Sequence, residues 1–311
     1  MFSYVIRKMF MGLAAVICVT IVLFLIMHSI PGDPIRMIAD PRMPTEQIEL
    51  LRARWGLDRP LYVQYLVWLS NVVRGDMGTS IATRQPVQRL IASRLPYTLV
   101  LAVSALVLRY IIGVAVGLIV ASKRGSWIDR FLVVSSTVMR SVPAFWLGIL
   151  LILLFAVRWG VFPISGYVGP RSIVLPLLSL MLPPIADTMR LTRSEVLEVM
   201  QEQYVVTAHS KGLPQRVVFL KHVLRNALIP VTVTFFLSLP WLIGGSVVVE
   251  SVFAWPGMGR LLWRSIVSQD LPVVQGIVVV IAVLTVISNT LGDIMTAFLD
   301  PRIKEEYLGH R

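Results

Sequence analysis

The sequence predicts an all-α, polytopic membrane protein with six transmembrane helices and both termini on the cytoplasmic side. Of its 311 residues, 56% are hydrophobic and only 15% are charged, against roughly 25% charged in a soluble domain. The mean hydropathy is +0.76, and six apolar runs are long enough to cross about 30 Å of hydrocarbon at 1.5 Å per residue. This composition excludes disorder, collagen and coiled coil, and argues against a soluble enzyme. The lone cysteine, Cys18, excludes an internal disulfide and a multi-cysteine metal site. A net charge of +12 would suit nucleic acid, but the basic residues are scattered at the ends of apolar runs. There they follow topology and flank lipid, so no nucleic-acid partner is expected.

The first run, 9–30, follows Arg7 and Lys8 as a signal peptide would. It is longer than the usual apolar region and leads into Pro-Gly-Asp-Pro without a small-residue cleavage pattern, so it reads as a retained anchor helix. Residues 31–96 form an external segment with two expected helices. One is capped by Thr45, runs to Trp55 and ends at Gly56; the other starts at Pro60 and continues through Val73. Tyr62, Tyr65, Leu66, Trp68 and Leu69 make the second amphipathic. The segment either packs over the bundle as a lid or receives a partner, and both readings stand.

The remaining runs are 98–121, 131–157, 173–189, 229–249 and 273–299. Gly113 and Gly117 give the second a small-xxx-small face for close packing. Pro176, Pro183 and Pro184 predict a kink in the short fourth run. With the N-terminus inside, cytoplasmic segments hold about fourteen arginines and lysines, against Arg158, Arg171, Arg260 and Arg264 in the short outer loops. The external segment carries nine arginines, but at 66 residues it is too long for that bias to apply. The domains are therefore 1–30, 31–96, a five-helix core at 97–299 that includes the cytoplasmic loop 190–228, and a cytoplasmic tail at 300–311.

Catalytic chemistry is missing from the pattern. No phosphate loop is present, since Lys211-Gly212 has the wrong order. Gly257 and Gly259 lack a third glycine because Leu262 stands in its place. His28, His209, His222 and His310 are dispersed without metal-ligand spacing, and Ser246 is in no nucleophile elbow. An intramembrane enzyme therefore finds no constellation, and the chain is read as non-catalytic. An ion-driven secondary transporter, the other competitor, would show internal repeats and buried acids.

The most informative stretch is the loop at 190–228, which reads as two short helices around a hinge. The first passes through Glu195, Glu198, Glu202 and His209 and ends where Gly212 takes a left-handed position; Pro214 then opens the next. A face carrying Gln203, Tyr204, His209 and Lys211 suits insertion into a groove on another protein, the alternative being a linker lying on the inner leaflet.

The segment from Tyr204 to Val231, YVVTAHSKGLPQRVVFLKHVLRNALIPV, resembles the coupling-loop signature of inner-membrane permeases of ATP-binding-cassette importers, in the dipeptide, oligopeptide and nickel group. The resemblance covers nearly the whole chain: SIPGDP from Ser29, GLDRPLYVQYLVWL from Gly56, GDMGTSI from Gly75, SVPAFWLG from Ser141, VVVESVFAWPGMGR from Val247 and LDPRI from Leu299. Of the older Glu-Ala-Ala, three residues, Gly signature, only Ala208 and Gly212 match; Val206 and Thr207 depart from it, and Glu202 lies one turn earlier. The resemblance implies a type I importer permease in a bacterial or archaeal inner membrane, surrounded by lipid. Its implied partners are a second homologous permease, two ATPase subunits and an external solute-binding protein. The cofactors, ATP and Mg, belong to the ATPases and none to this chain. It further implies ATPase coupling through Glu202, Tyr204, Thr207, Ala208, His209, Lys211 and Gly212. Peptide is the expected solute, with nickel or a metal chelate as the alternative.

Arg109 and Arg140 lie roughly 15 Å deep in the second and third runs. No carboxylate is expected at that depth, with Asp187 and Asp293 near the inner surface and Glu250 at the outer end of the fifth run. A buried arginine needs a solute carboxylate, a partner-chain acid or backbone carbonyls. Arg109, Arg140, Ser246 and Glu250 are the candidates for a translocation path.

Overall fold

The computed structural model describes residues 2–29, 44, 46–47, 49–50 and 58–299, and all regular structure among them is helical apart from one bridge between Thr79 and Pro86. The expected helix from Thr45 to Trp55 lies for the most part outside the described residues, as does the tail at 300–311. Five helices are long and apolar enough to cross a bilayer, and a bent pair brings the number to six.

Helix α1 (Phe2–Ser29) packs along the last helix, where Lys8 pairs with Asp293 at 2.8 Å. Helix α2 (Leu61–Val73) starts after Pro60 as expected, because proline's fixed φ suits a helix start. Its Tyr65 hydroxyl meets Thr20 of α1 at 2.9 Å, and Phe24, Tyr65 and Trp68 stack nearby. Helix α3 (Val87–Ser122) begins nine residues before Pro96, so the expected boundary between external segment and core falls inside one helix. The loop before it is pinned by Asp270, 3% exposed, which accepts from Ser80 Oγ and from the Ile81 and Ala82 N–H groups.

The third run is not one straight span. Helix α4 (Trp127–Ser141) ends at Val142 and Pro143, and the helical segment α5 (Ala144–Arg158) leaves at 99° to it. Pro143 has no N–H to continue the ladder and drives Val142 to extended backbone, φ −82° and ψ 121°. The fourth run is instead longer than expected. Helix α6 (Val174–Val199) continues through Pro183 and Pro184 and passes ten residues beyond Met189. It packs on α3, where Gly113 faces Thr188 and Gly117 faces Thr192 and the Met189 carbonyl, with no room for a β-carbon.

Arg193 of α6 holds Asp129 of α4 through two bonds of 2.9 Å, and Asp129 also accepts from the Gly125 N–H. Asp129→Ala removes the acceptor of a partly buried guanidinium, and we expect it to lower stability by about 2 kcal/mol. A lower thermal midpoint of the purified protein checks this.

After a turn, α7 (Gln203–Ser210) forms the elbow expected in the loop 190–228, and α8 (Gln215–Leu237) is the next apolar helix. The expected fifth run, 229–249, therefore has its register corrected: its continuous helix ends at Leu237 and the chain breaks at Ser238 before Pro240. Short helices α9 (Trp241–Gly244) and α10 (Val247–Val252) follow, then α11 (Met258–Val267) and α12 (Leu271–Leu299).

Candidate functional site: a charged cavity and an elbow helix

Two helix interruptions and a proline pair meet at one place. The bend between α4 and α5, the double proline of α6 and the break after α8 border a cavity of about 560 Å³. Arg109 of α3, Arg140, Asp187, Ser238 and Trp241 are among its lining residues. Irregular backbone inside a bilayer is tolerated where it is enclosed by protein or lines a cavity, and here it does the second.

The two arginines, expected at a similar depth, line one cavity, and a carboxylate lies beside them. Asp187 accepts from Arg140 Nε at 2.8 Å and from Arg190 at 3.0 Å. This corrects the expectation that no acid shares the arginines' depth. Because α6 runs on to Val199, Asp187 is about 18 Å from its inner end, and Arg109 about 20 Å from the inner end of α3. The missed signal was the i, i+3 spacing of Asp187 and Arg190, which pairs the charges along one helix face.

Arg109 is oriented by two neighbours. Its Nε donates to Thr188 Oγ1 at 3.2 Å, and its guanidinium lies 5.1 Å from the centre of the Tyr110 ring. Thr188, 2% exposed, stands opposite Gly113, one turn along α3 from Arg109. The absent side chain at 113 is what lets α6 approach closely enough for that bond. Tyr110 in turn meets Ser238 at 3.1 Å, tying α3 to the break after α8.

Ser246 and Glu250 are placed differently. Ser246, 1% exposed, borders a narrow pocket of about 20 Å³ that shares Arg109, Leu180, Pro184 and Trp241 with the cavity wall. Glu250 is 0% exposed and is not among the residues that line either of these two spaces. Its Oε1 accepts from Thr98 at 2.8 Å and Ser246 at 3.1 Å; its Oε2 accepts from the Arg260 N–H at 3.1 Å, and the Gly259 N–H also bonds to the carboxylate. Gly259 and Arg260 are in the first turn of α11, whose N-cap position, Gly257, has no side chain to cap it. Glu250 supplies that cap from α10. This carboxyl group serves folding, and the glycine beside it makes room: a β-carbon at Gly257 would fall on the carboxyl group itself.

In the elbow, Gly212 has φ +73° with nothing near its absent β-carbon, and Pro214 opens α8. The first expected helix is shorter than predicted: Glu195 and Glu198 belong to α6, and Glu202 is the N-cap of α7. Val205 and Ala208 are buried against Ala121, Val196, Val218, Val223 and Ala227. Ala208 therefore anchors α7 to the bundle and is not on its outer face. Glu202, Tyr204, Thr207, His209 and Lys211 are exposed, with Val206 at 56% beside them. The Tyr204 hydroxyl accepts from Asn226 at 3.0 Å, which fixes α7 against α8.

Residues 113–305 match the family model for binding-protein-dependent transport system inner membrane components, and residues 1–102 match that for the N-terminal part of such membrane components. An oligopeptide transport system permease, AppB, of Bacillus subtilis is 39% identical, over 98% of this chain and 100% of that protein. A glutathione transport system permease, GsiC, of Escherichia coli K12 is 40% identical, over 98% of this chain and 99% of its own. Among solved structures, the inward-facing MetNI methionine ABC transporter superposes with a TM-score of 0.56 at 21% identity, over 68% of this chain and 96% of its own. An amino acid ABC transporter with histidines superposes at 0.51 and 19% identity, over 67% and 93%. These structural likenesses support the fold.

Proposed function

The chain belongs to the binding-protein-dependent transport system inner membrane components, and from that premise we propose that it carries peptides through the charged cavity, driven by ATPase subunits that engage α7. It is a multi-pass inner-membrane permease subunit of an ABC importer. Membership sets aside the ion-gradient and intramembrane-enzyme alternatives. The observation that supports the cavity as path is the meeting of two helix interruptions and the double proline of α6 around Arg109 and Arg140, since transporter sites form where discontinuous helices converge. Similarity to an oligopeptide permease and a glutathione permease favours peptide over nickel or a metal chelate.

The proposed assembly joins this chain to a second permease and two ATPases, which bind ATP and Mg and perform the hydrolysis, with an external binding protein delivering solute. The exposed face of α7, from Glu202 through Lys211, is the proposed ATPase contact. Reconstitution tests this: peptide uptake should require ATP, both permeases, the ATPases and the binding protein. Uptake by the permease chains alone under an ion gradient would overturn it.

The elbow offers a second test. Gly212→Val puts a β-branched residue at φ +73°, a strained conformation worth about 1–2 kcal/mol. Nothing crowds the site, so the strain acts on the turn that sets the angle of α7. We expect solute moved per ATP hydrolysed to fall severalfold while the complex still assembles. An unchanged ratio would remove the elbow from coupling.

A further inference from the structure

We propose that Arg109 receives a carboxylate of the solute in transit, so that the cavity selects peptides with a free C-terminal carboxylate. This rests on reading the cavity as the path. The cationic groups around it are not equivalent. Arg140 and Arg190 share Asp187, one oxygen each, at 2.8 and 3.0 Å. Among the described residues Arg109 makes one hydrogen bond, through Nε to Thr188, and rests against the Tyr110 ring. Among the described residues its two terminal nitrogens have no hydrogen-bond partner, yet no fully buried side-chain nitrogen is left unsatisfied. Those nitrogens therefore reach open space, and the space Arg109 lines is the cavity and the narrow pocket beside it.

A guanidinium pinned at Nε presents its terminal N–H groups as a planar fork, the geometry that pairs two-to-two with a carboxylate. Three guanidinium groups stand against the one carboxylate of Asp187. In a low-dielectric interior an unmatched cation is unfavourable, and an arriving carboxylate relieves it. Asp187 already carries two guanidinium groups, so the net positive charge around it disfavours a solute ammonium. The cavity's chemistry is thus directed at the acid end of a peptide and leaves the amino end unread.

The test is uptake into proteoliposomes holding the complete importer. The binding protein is preloaded to saturation with either a tripeptide acid or the same tripeptide as its C-terminal amide, so that receptor affinity does not enter. The wild-type complex is expected to import the acid faster than the amide. Arg109→Gln is expected to cut acid uptake about tenfold or more and bring the acid-to-amide ratio near one, because a charge-assisted pair is lost. Arg109→Lys keeps the charge without the fork and should give an intermediate ratio. An unchanged ratio in both variants overturns the proposal. Equal loss for acid and amide, with loss of the second permease on purification, also overturns it and assigns Arg109 to an acid of the partner chain. Wild-type import that needs no ATPase would instead overturn the transport reading itself, whatever the ratio.

Discussion

Replacing Glu250 with alanine is expected to remove about 3–5 kcal/mol of stability and most of the protein from the membrane. The change strips a carboxylate that is 0% exposed and leaves the Gly259 and Arg260 N–H groups and the Thr98 hydroxyl without their acceptor. Each buried polar group left unpaired costs about 1–3 kcal/mol. The loss also propagates: Thr98 accepts from the Met258 N–H at 2.7 Å, so one carboxylate joins α3, α10 and the start of α11. Glu250→Gln keeps one acceptor oxygen but turns an amide NH2 toward one set of partners, so an intermediate loss is expected. Thermal unfolding of the purified complex and the amount of membrane-inserted chain are the measurements. A wild-type midpoint for Glu250→Ala would show that the carboxylate does not hold this junction.

That junction also marks where sequence and structure part. The spans were legible because bilayer thickness fixes the length of an apolar run, and α2 and the Gly212 elbow were legible because proline and glycine act locally. The ends and directions of the spans were not. Arg190 and Arg193 look like the cytoplasmic end of the fourth run, but they pair with Asp187 and Asp129 within the bundle, so the helix continues to Val199. Reading the helix as ending at the first arginine placed Asp187 too shallow and hid its contact with Arg140. The 99° bend at Val142 and Pro143 was equally hidden, since hydropathy stays high on both sides of it and carries no direction. For Glu250, the Arg260 N–H lies ten residues further along the chain and Thr98 lies 152 residues before it, so the only local hint was the pair of glycines at 257 and 259.

Gly117→Val and Gly113→Ala, one turn apart on the same face of α3, are expected to fail in different ways. At Gly117 a β-carbon would lie 2.8 Å from the Met189 carbonyl oxygen and 2.7 Å from Thr192 Cβ. Backbone cannot rotate away, so α3 and α6 must separate along their shared face, at about 3 kcal/mol for the overpacked interface. Membrane abundance should collapse. At Gly113 the nearest atoms belong to the Thr188 side chain, at 2.7 and 2.8 Å, with the Ile185 carbonyl further off at 3.4 Å. A single methyl there presses on Thr188 Cβ, which no rotamer change moves, so α6 must give by a few tenths of an ångström at that point, and Thr188 is the group that orients Arg109. Gly113→Ala is therefore expected to leave assembly with ATPase and permease partners largely intact while lowering uptake severalfold, read as transport per assembled complex. If both variants lose abundance equally, the α3–α6 contact acts only as packing and the orientation of Arg109 does not depend on it. If Gly113→Ala loses uptake alone, the close approach of the two helices is what aims the guanidinium into the cavity.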